Sequence, residues 1–170
     1  MFVPIRNVFR RVTSARSAKR SSLLVALMIA TAASCKSAVS AEPTVEITSL
    51  AEARSLWTAL QPVHYRMTQT ISCFCGTEVT RPVIVEVNGQ AVTRRYADNG
   101  TALPSQFSAE FRTVDELHAF VAEAVARPVA SITARYSGTT GVPIFLAFDG
   151  SAQVADDELQ ITVTDFRILR

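Results

Sequence analysis

The sequence predicts an α+β domain: two tandem helix–strand–strand–strand units forming one antiparallel sheet of about six strands, with two helices on one face. Three observations lead there. Two capping boxes each open an apolar stripe at helical spacing, and each is followed by residues that alternate with a period of two. The segments Pro82-Val83-Ile84-Val85-Glu86-Val87-Asn88-Gly89 and Pro143-Ile144-Phe145-Leu146-Ala147-Phe148-Asp149-Gly150 match almost position for position. Both end in a dipeptide that favours a tight hairpin, and antiparallel strands with one polar face need a helix layer on the other.

The first helix begins at Ser49-Leu50-Ala51-Glu52, where the serine can cap the amide of the glutamate. Leu50, Ala53, Leu56, Trp57 and Leu60 form its stripe, Trp57 anchors it in the core, and Pro62 stops it. Val63, Tyr65, Met67 and Ile71 then point one way, and His64, Arg66, Thr68, Thr70 and Ser72 the other, as in a half-buried strand. The strand from Pro82 to Val87 turns at Asn88-Gly89, both at positive φ, into a return strand through Val92, Arg94 and Tyr96. Residues 98–112 read as a loop. Thr113-Val114-Asp115-Glu116 opens the second helix, with Val114, Leu117, Phe120, Val121, Ala124 and Val125 on its apolar side and Pro128 just past its end. Ile132, Ala134 and Tyr136 mark a strand, and Pro143 to Phe148 the next. The last strand runs through Leu159, Ile161 and Val163; its apolar parity then shifts to Phe166 and Ile168, which predicts a bulge near Thr164.

The amino-terminal end reads differently. Arg6, Arg10, Arg11, Arg16, Lys19 and Arg20 precede the apolar run Leu23 to Ala33, with no acid among them. That run is too short for a span of ~20 residues but suits an export signal. Residues 1–41 are therefore expected to be a leader, cut after Val39-Ser40-Ala41. The alternative is a lipoprotein leader ending before Cys35, which Ala32-Ala33-Ser34-Cys35 would make the lipidated residue. Membrane contact would then come only through a leader or lipid anchor, and the protein would work in the periplasm, on the cell surface or secreted. Residues 42–170 form one α+β domain, too short for two.

Charge follows from this division. Of 17 basic residues, seven lie before Glu42 and ten after it; all 15 acids lie from Glu42 onward, so the body carries about −5. All ten basic residues of the body are arginine. A net-acidic body argues against nucleic acid, whose affinity rests largely on cations at phosphates.

Cys73 and Cys75 are the remaining thiols if Cys35 is removed or lipidated, and an exported protein meets an oxidising compartment. A Cys73–Cys75 disulfide is expected. Two extended residues span ~6.6 Å, the outer edge of disulfide geometry, so a bend is needed, and Gly76 makes one available. The loop is tiny, so its entropic contribution is only about 1.6 kcal/mol. If the strand runs unbroken, both sulfurs share the apolar face with Tyr65, Met67 and Ile71. Metal binding is the alternative, but the pair supplies two ligands, His64 has the opposite parity, His118 lies on a distant helix, and only Glu78 is near. Two buried free thiols are a further alternative, and so is a labile redox pair, which burial would oppose.

Other residues carry bland readings. Asp149 and Asp156-Asp157-Glu158 could offer oxygens to calcium, but the spacing is not that of an EF-hand, and a solvated turn accounts for them. His118 reads as a packing residue, and Arg94-Arg95 with Tyr96 as a solvated strand face that could also meet an acidic partner. There is no phosphate-binding glycine loop and no GxSxG. No catalytic residue, metal or cofactor is expected.

The order of features resembles a family of bacterial envelope proteins labelled domain of unknown function 6174. The resemblance rests on Trp57, Tyr65, Cys73 and Cys75, Val85 to Gly89, Thr113 to Asp115, Gly141 to Pro143, and Asp156 to Glu158, over about residues 50 to 169. His118-Ala119-Phe120 departs slightly from its pattern. It implies an exported small domain with no assigned activity. The architecture also looks loosely like tandem helix-plus-sheet inhibitor or PepSY-type modules, an analogy of fold alone. The expectation is a non-enzymatic envelope module that binds an unknown protein or small-molecule ligand. Thiol or metal chemistry at Cys73 and Cys75, and inhibition of a secreted enzyme, are the alternatives.

Overall fold

A computed structural model describes residues 46–154 and 156–170. The expected leader, residues 1–41, and Cys35 lie outside the described residues. The elements are β1 (Glu46–Ile47), α1 (Leu50–Leu60), β2 (His64–Cys73), α2 (Thr77–Thr80), β3 (Val83–Asn88), β4 (Ala91–Tyr96), a 3-10 turn (Ser105–Phe107), α3 (Val114–Val125), β5 (Ser131–Ser137), β6 (Pro143–Asp149) and β7 (Leu159–Ile168).

All seven strands form one open antiparallel sheet in the order β1-β5-β6-β7-β2-β3-β4. Six are full strands, and β1 is a two-residue addition on the β5 edge. The tandem reading holds. α1-β2-β3-β4 and α3-β5-β6-β7 are two units of the same order, joined side by side where β7 pairs with β2. The matching segments are the middle strands, β3 and β6. β1 and the single-turn α2 were not anticipated, since two residues and four residues leave no period to read.

Both predicted caps form. Ser49 Oγ accepts from the Glu52 amide, and Thr113 and Glu116 make a reciprocal box at the start of α3. α1 ends at Gln61, which takes φ 40° before Pro62. Both helices cover one face of the sheet. Ala53, Trp57, Val114, Leu117, Val121 and Ala124 pack down onto Tyr65, Met67, Ile71, Val83, Val85, Leu146 and Ile161. The stripes end sooner than their periodicity suggests: Leu60, Val63 and Val125 are exposed.

The core contains one polar side chain that alternation places there but apolar counting skips. Gln69 is fully buried. Its Nε2 donates to the Arg112 carbonyl and its Oε1 accepts from the Arg112 amide at 3.1 Å, so it pairs with the loop before α3 as one peptide pairs with another. A buried amide left without partners would be costly, and this one has both.

The hairpin differs from expectation in detail. Asn88 is the last residue of β3, paired with Ala91, and the turn is Gly89-Gln90 with only Gly89 at positive φ, 58°. Glycine at the first central position is the other favoured hairpin solution. The predicted bulge is present. Arg66 and Thr68 pair with Arg167 and Thr164, so β7 carries one extra residue, and Asp165 there has φ 52°. The extra residue turns Phe166 onto the helix face, where its ring lies 6.0 Å from Trp57 and 5.8 Å from Tyr65.

Candidate functional site

β2 and β6 run in the same direction, because each is antiparallel to β7 between them. Their carboxyl ends therefore lie at one end of the sheet. The chain leaves β2 through residues 74–82 and β6 through residues 150–158, two nine-residue connections. Between them lies a cavity of about 470 Å³, lined among others by Ser72, Phe74, Ser131, Asp149, Glu158 and Gln160. The register puts Ser72 opposite Gln160, Gln160 opposite Ala147, and Asp149 opposite Ser131, all on the face that the helices leave uncovered.

Cys73 lines the cavity beside Phe74, and Cys75 follows just outside it. The two cysteines meet. Their sulfurs are in contact and their Cα atoms 5.3 Å apart, within the span of a disulfide. Their placement corrects the parity argument. β2 ends at Cys73, so alternation does not carry to Cys75. Cys73 is half-buried and packs against the core; Cys75 is exposed, and Phe74 between them is 81% exposed. The pair is thus only half tucked into the apolar layer. Glu78, on the following turn, is occupied: it accepts from the Tyr96 hydroxyl at 2.5 Å and pairs with Arg81 at 3.6 Å.

The acidic run is more than a solvated turn. Asp156 is exposed, but Asp157 folds back over Gly150, where an added Cβ would meet its Oδ2 at 2.8 Å. The Oδ1 atoms of Asp149 and Asp157 are buried without a hydrogen-bond partner among the described residues. The sequence put Asp149 with Gly150 in a tight hairpin; instead Asp149 ends β6 and nine residues intervene before β7, so the dipeptide is no two-residue turn. Nothing in the sequence reveals that the Asp149 oxygen goes unpaired. Among the described residues no group of three or more His, Cys, Asp or Glu comes together as a metal site would.

Both histidines have structural partners. His118 is 3% exposed, and its Nε2 donates to the Gly141 carbonyl at 2.9 Å; a carbonyl only accepts, so Nε2 carries the proton. Burial pushes its pKa below the ordinary value, as expected of a packing residue. His64 bonds Glu86 at 3.3 Å on the uncovered face, and Arg95 reaches the other oxygen of Glu86 at 3.3 Å. The His64 ring, then Arg95, hold the Glu86 carboxyl below its usual range. Arg94 donates to the Phe111 carbonyl at 2.6 Å, and Tyr96 is buried beneath the Arg81 guanidinium, 3.7 Å from the ring centre. The Arg94-Arg95-Tyr96 stretch is therefore spent on the domain's own contacts. Trp57 is 6% exposed and donates through Nε1 to Asp115 at 2.9 Å, tying α1 to α3.

An open antiparallel sheet, covered by helices on one face and doubled from one helix-and-meander unit, defines the class of protein: a two-unit α+β domain with an end cleft. The chain belongs to the family of unknown function DUF6174, which it matches over residues 49–168. No curated protein and no solved structure matches it.

Proposed function

We propose that this chain is an exported bacterial envelope domain that binds a ligand in the cleft at the end of its sheet, without catalysing a reaction. The observation that carries the reading is that an exposed aromatic, Phe74, and two acids, Asp149 and Glu158, line one cavity. Ligand clefts are typically 300–1,000 Å³ and fix orientation with a few polar groups, so about 470 Å³ is enough for a small molecule or a protruding side chain. The polar groups around it, Asp149, Glu158, Ser72 and Gln160, favour hydrogen-bond donors such as amines and hydroxyls. Export rests on the charge and length pattern of residues 1–41. In that setting a Cys73–Cys75 disulfide fixes the bend that holds Phe74 outward. The commitment of both histidines to structural partners supports the non-enzymatic part.

The test is a ligand-observed NMR screen of amines and polyols against the domain beginning at Glu42 and against its Phe74→Ser and Asp149→Asn variants. Hits that lose at least tenfold in affinity in both variants are expected. Hits that bind all three proteins equally would place binding elsewhere, and an empty screen at millimolar ligand would remove small molecules from the reading. Intact mass of the exported protein, with and without reductant before alkylation, checks the cut, any lipid at Cys35 and the disulfide together.

The exposure of Cys75 favours a second reading, thiol–disulfide exchange with a partner dithiol. A reduction potential below about −300 mV would mark the bond as structural and exclude this reading.

A further inference from the structure

The face of the sheet without helices holds a second feature, about 20 Å from the cleft by strand rise. Arg66 on β2 and Arg167 on β7 lie directly opposite each other in the ladder. Like charges at such a position are destabilising. Of the other eight described arginines, four pair with acids: Arg81 with Glu78 and Asp98, Arg94 with Glu116, Arg95 with Glu86, Arg135 with Glu46; Arg54, Arg112 and Arg127 donate to backbone carbonyls instead. Among the described residues, neither Arg66 nor Arg167 has an ion pair. The nearest acid in register is Glu86, opposite Arg66 on β3, but its two oxygens go to His64 and Arg95.

The bulge creates this juxtaposition. Without the extra residue at Asp165, alternation from Val163 would turn Arg167 toward the helices and Phe166 outward; with it, Phe166 enters the core and Arg167 comes to face Arg66. Bulges re-aim side chains in this way, often at functional sites. The two arginines line a cavity of about 260 Å³ together with Thr68, Ile84, Ala97 and Asp165. Two guanidinium forks, a hydroxyl and one apolar wall fit a small oxyanion, because arginine pairs bidentately with carboxylate and phosphate. Asp165 sets a further condition: its carboxylate repels a bare anion but accepts from a donor next to the anionic group.

We propose that Arg66, Arg167 and Asp165 form a binding site for a small oxyanion bearing an adjacent hydrogen-bond donor, of which a 2-hydroxycarboxylate is the simplest case. The bound anion would relieve the repulsion that the folded domain otherwise carries. This site stands apart from the cleft and does not depend on its role.

The experiment is thermal unfolding of the domain at low ionic strength, titrated with glycolate, acetate, inorganic phosphate and, at matched ionic strength, sodium chloride. A ligand that binds only the folded state raises Tm saturably. Glycolate is expected to raise Tm more than acetate, and chloride not to do so. Arg66→Gln and Arg167→Gln should each cost at least tenfold in apparent affinity while leaving the ligand-free Tm equal to or above the parent's. Asp165→Asn, which keeps a residue tolerant of positive φ, should weaken glycolate relative to phosphate. Arg135→Gln, on the same face but paired with Glu46, should leave the glycolate shift intact. Equal shifts with glycolate and chloride would reduce the effect to screening and overturn the proposal. So would a lower ligand-free Tm in both arginine variants with the glycolate shift retained, since the pair would then be structural. Phosphate binding that exceeds glycolate and survives Asp165→Asn unchanged would refute the part assigned to Asp165.

Discussion

The two units share an order of elements and differ in where they place their long connection. In α1-β2-β3-β4 the first link, residues 74–82, is long and the second is the two-residue turn Gly89-Gln90. In α3-β5-β6-β7 the first link is the short segment 138–142 and the second, 150–158, is long. Because β7 pairs antiparallel with β2, this inversion brings both long links to the same end of the sheet, where they flank the cleft. Had each unit kept the same pattern, the long links would lie at opposite ends. A repeated helix-and-meander thus supplies the scaffold, and the departure from repetition supplies the concavity.

The turn glycines test this contrast most sharply. Gly89 and Gly141 each close the short link of their unit, at φ 58° and 73°. A Cβ on Gly89 meets nothing within 4 Å, whereas one on Gly141 would collide with the Ala53 carbonyl and come within 3.0 Å of the Trp57 amide in α1. Gly89→Ala should cost only the left-handed penalty, about 1–2 kcal/mol. Gly141→Ala must also push α1 away, and about 4 kcal/mol or more is expected in urea unfolding, with poor soluble yield a consistent sign. Equal losses would mean that α1 does not rest on the second unit's turn.

The buried tyrosines should separate the units in sign. Both lie in the core, Tyr65 in β2 and Tyr136 in β5, and burial pushes each pKa up to about 12. The Tyr65 hydroxyl accepts from the Val114 amide at 3.2 Å, linking the first unit to the start of α3. The Tyr136 hydroxyl is buried with no partner among the described residues. Tyr65→Phe therefore strands a donor and should destabilise by about 1–2 kcal/mol, while Tyr136→Phe removes an unsatisfied group and should stabilise by up to about 1 kcal/mol. Destabilisation by both substitutions would show that Tyr136 has a partner after all.

Much of this architecture is legible in the sequence because its signals are local. Capping boxes, period-two alternation and the paired Pro-to-Gly segments lie within ten residues each, and the parity slip after Val163 announces the bulge at Asp165. What failed depends on where a strand stops. Parity placed Cys75 with the core, but β2 ends two residues earlier and the rule lapses there. The cleft itself is invisible for a related reason: it arises from two loops about seventy residues apart that meet only through the β2–β7 pairing. The opposition of Arg66 and Arg167 likewise requires the register across that pair, which no local pattern carries.

The smallest expected effect concerns pH, and it tests whether the second unit's helix is held by a neutral imidazole. His118 packs between α3 and the Gly141 turn, with Arg54 on α1 and Asp115 on its own helix as the charged groups acting on it. Burial lowers its pKa first of all; Arg54 lowers it further, and the Gly141 bond and Asp115 act in the opposite direction. In the unfolded chain the ring titrates near its ordinary 6.5, so the unfolded state binds more protons in the window between the folded value and 6.5. Stability from this group is therefore complete above that ordinary value and declines as pH falls from it toward the folded pKa. The slope should not exceed about 1.4 kcal/mol per pH unit, the limit for one proton. His118→Gln keeps a donor for the Gly141 carbonyl but cannot titrate, so between pH 7.5 and 5 the variant should lose less stability than the parent. Comparing both in a His64→Gln background removes the other imidazole from the measurement. A parent that gains stability on acidification through this window would show a charged imidazole in the folded state and reverse the assignment of His118 as a packing residue.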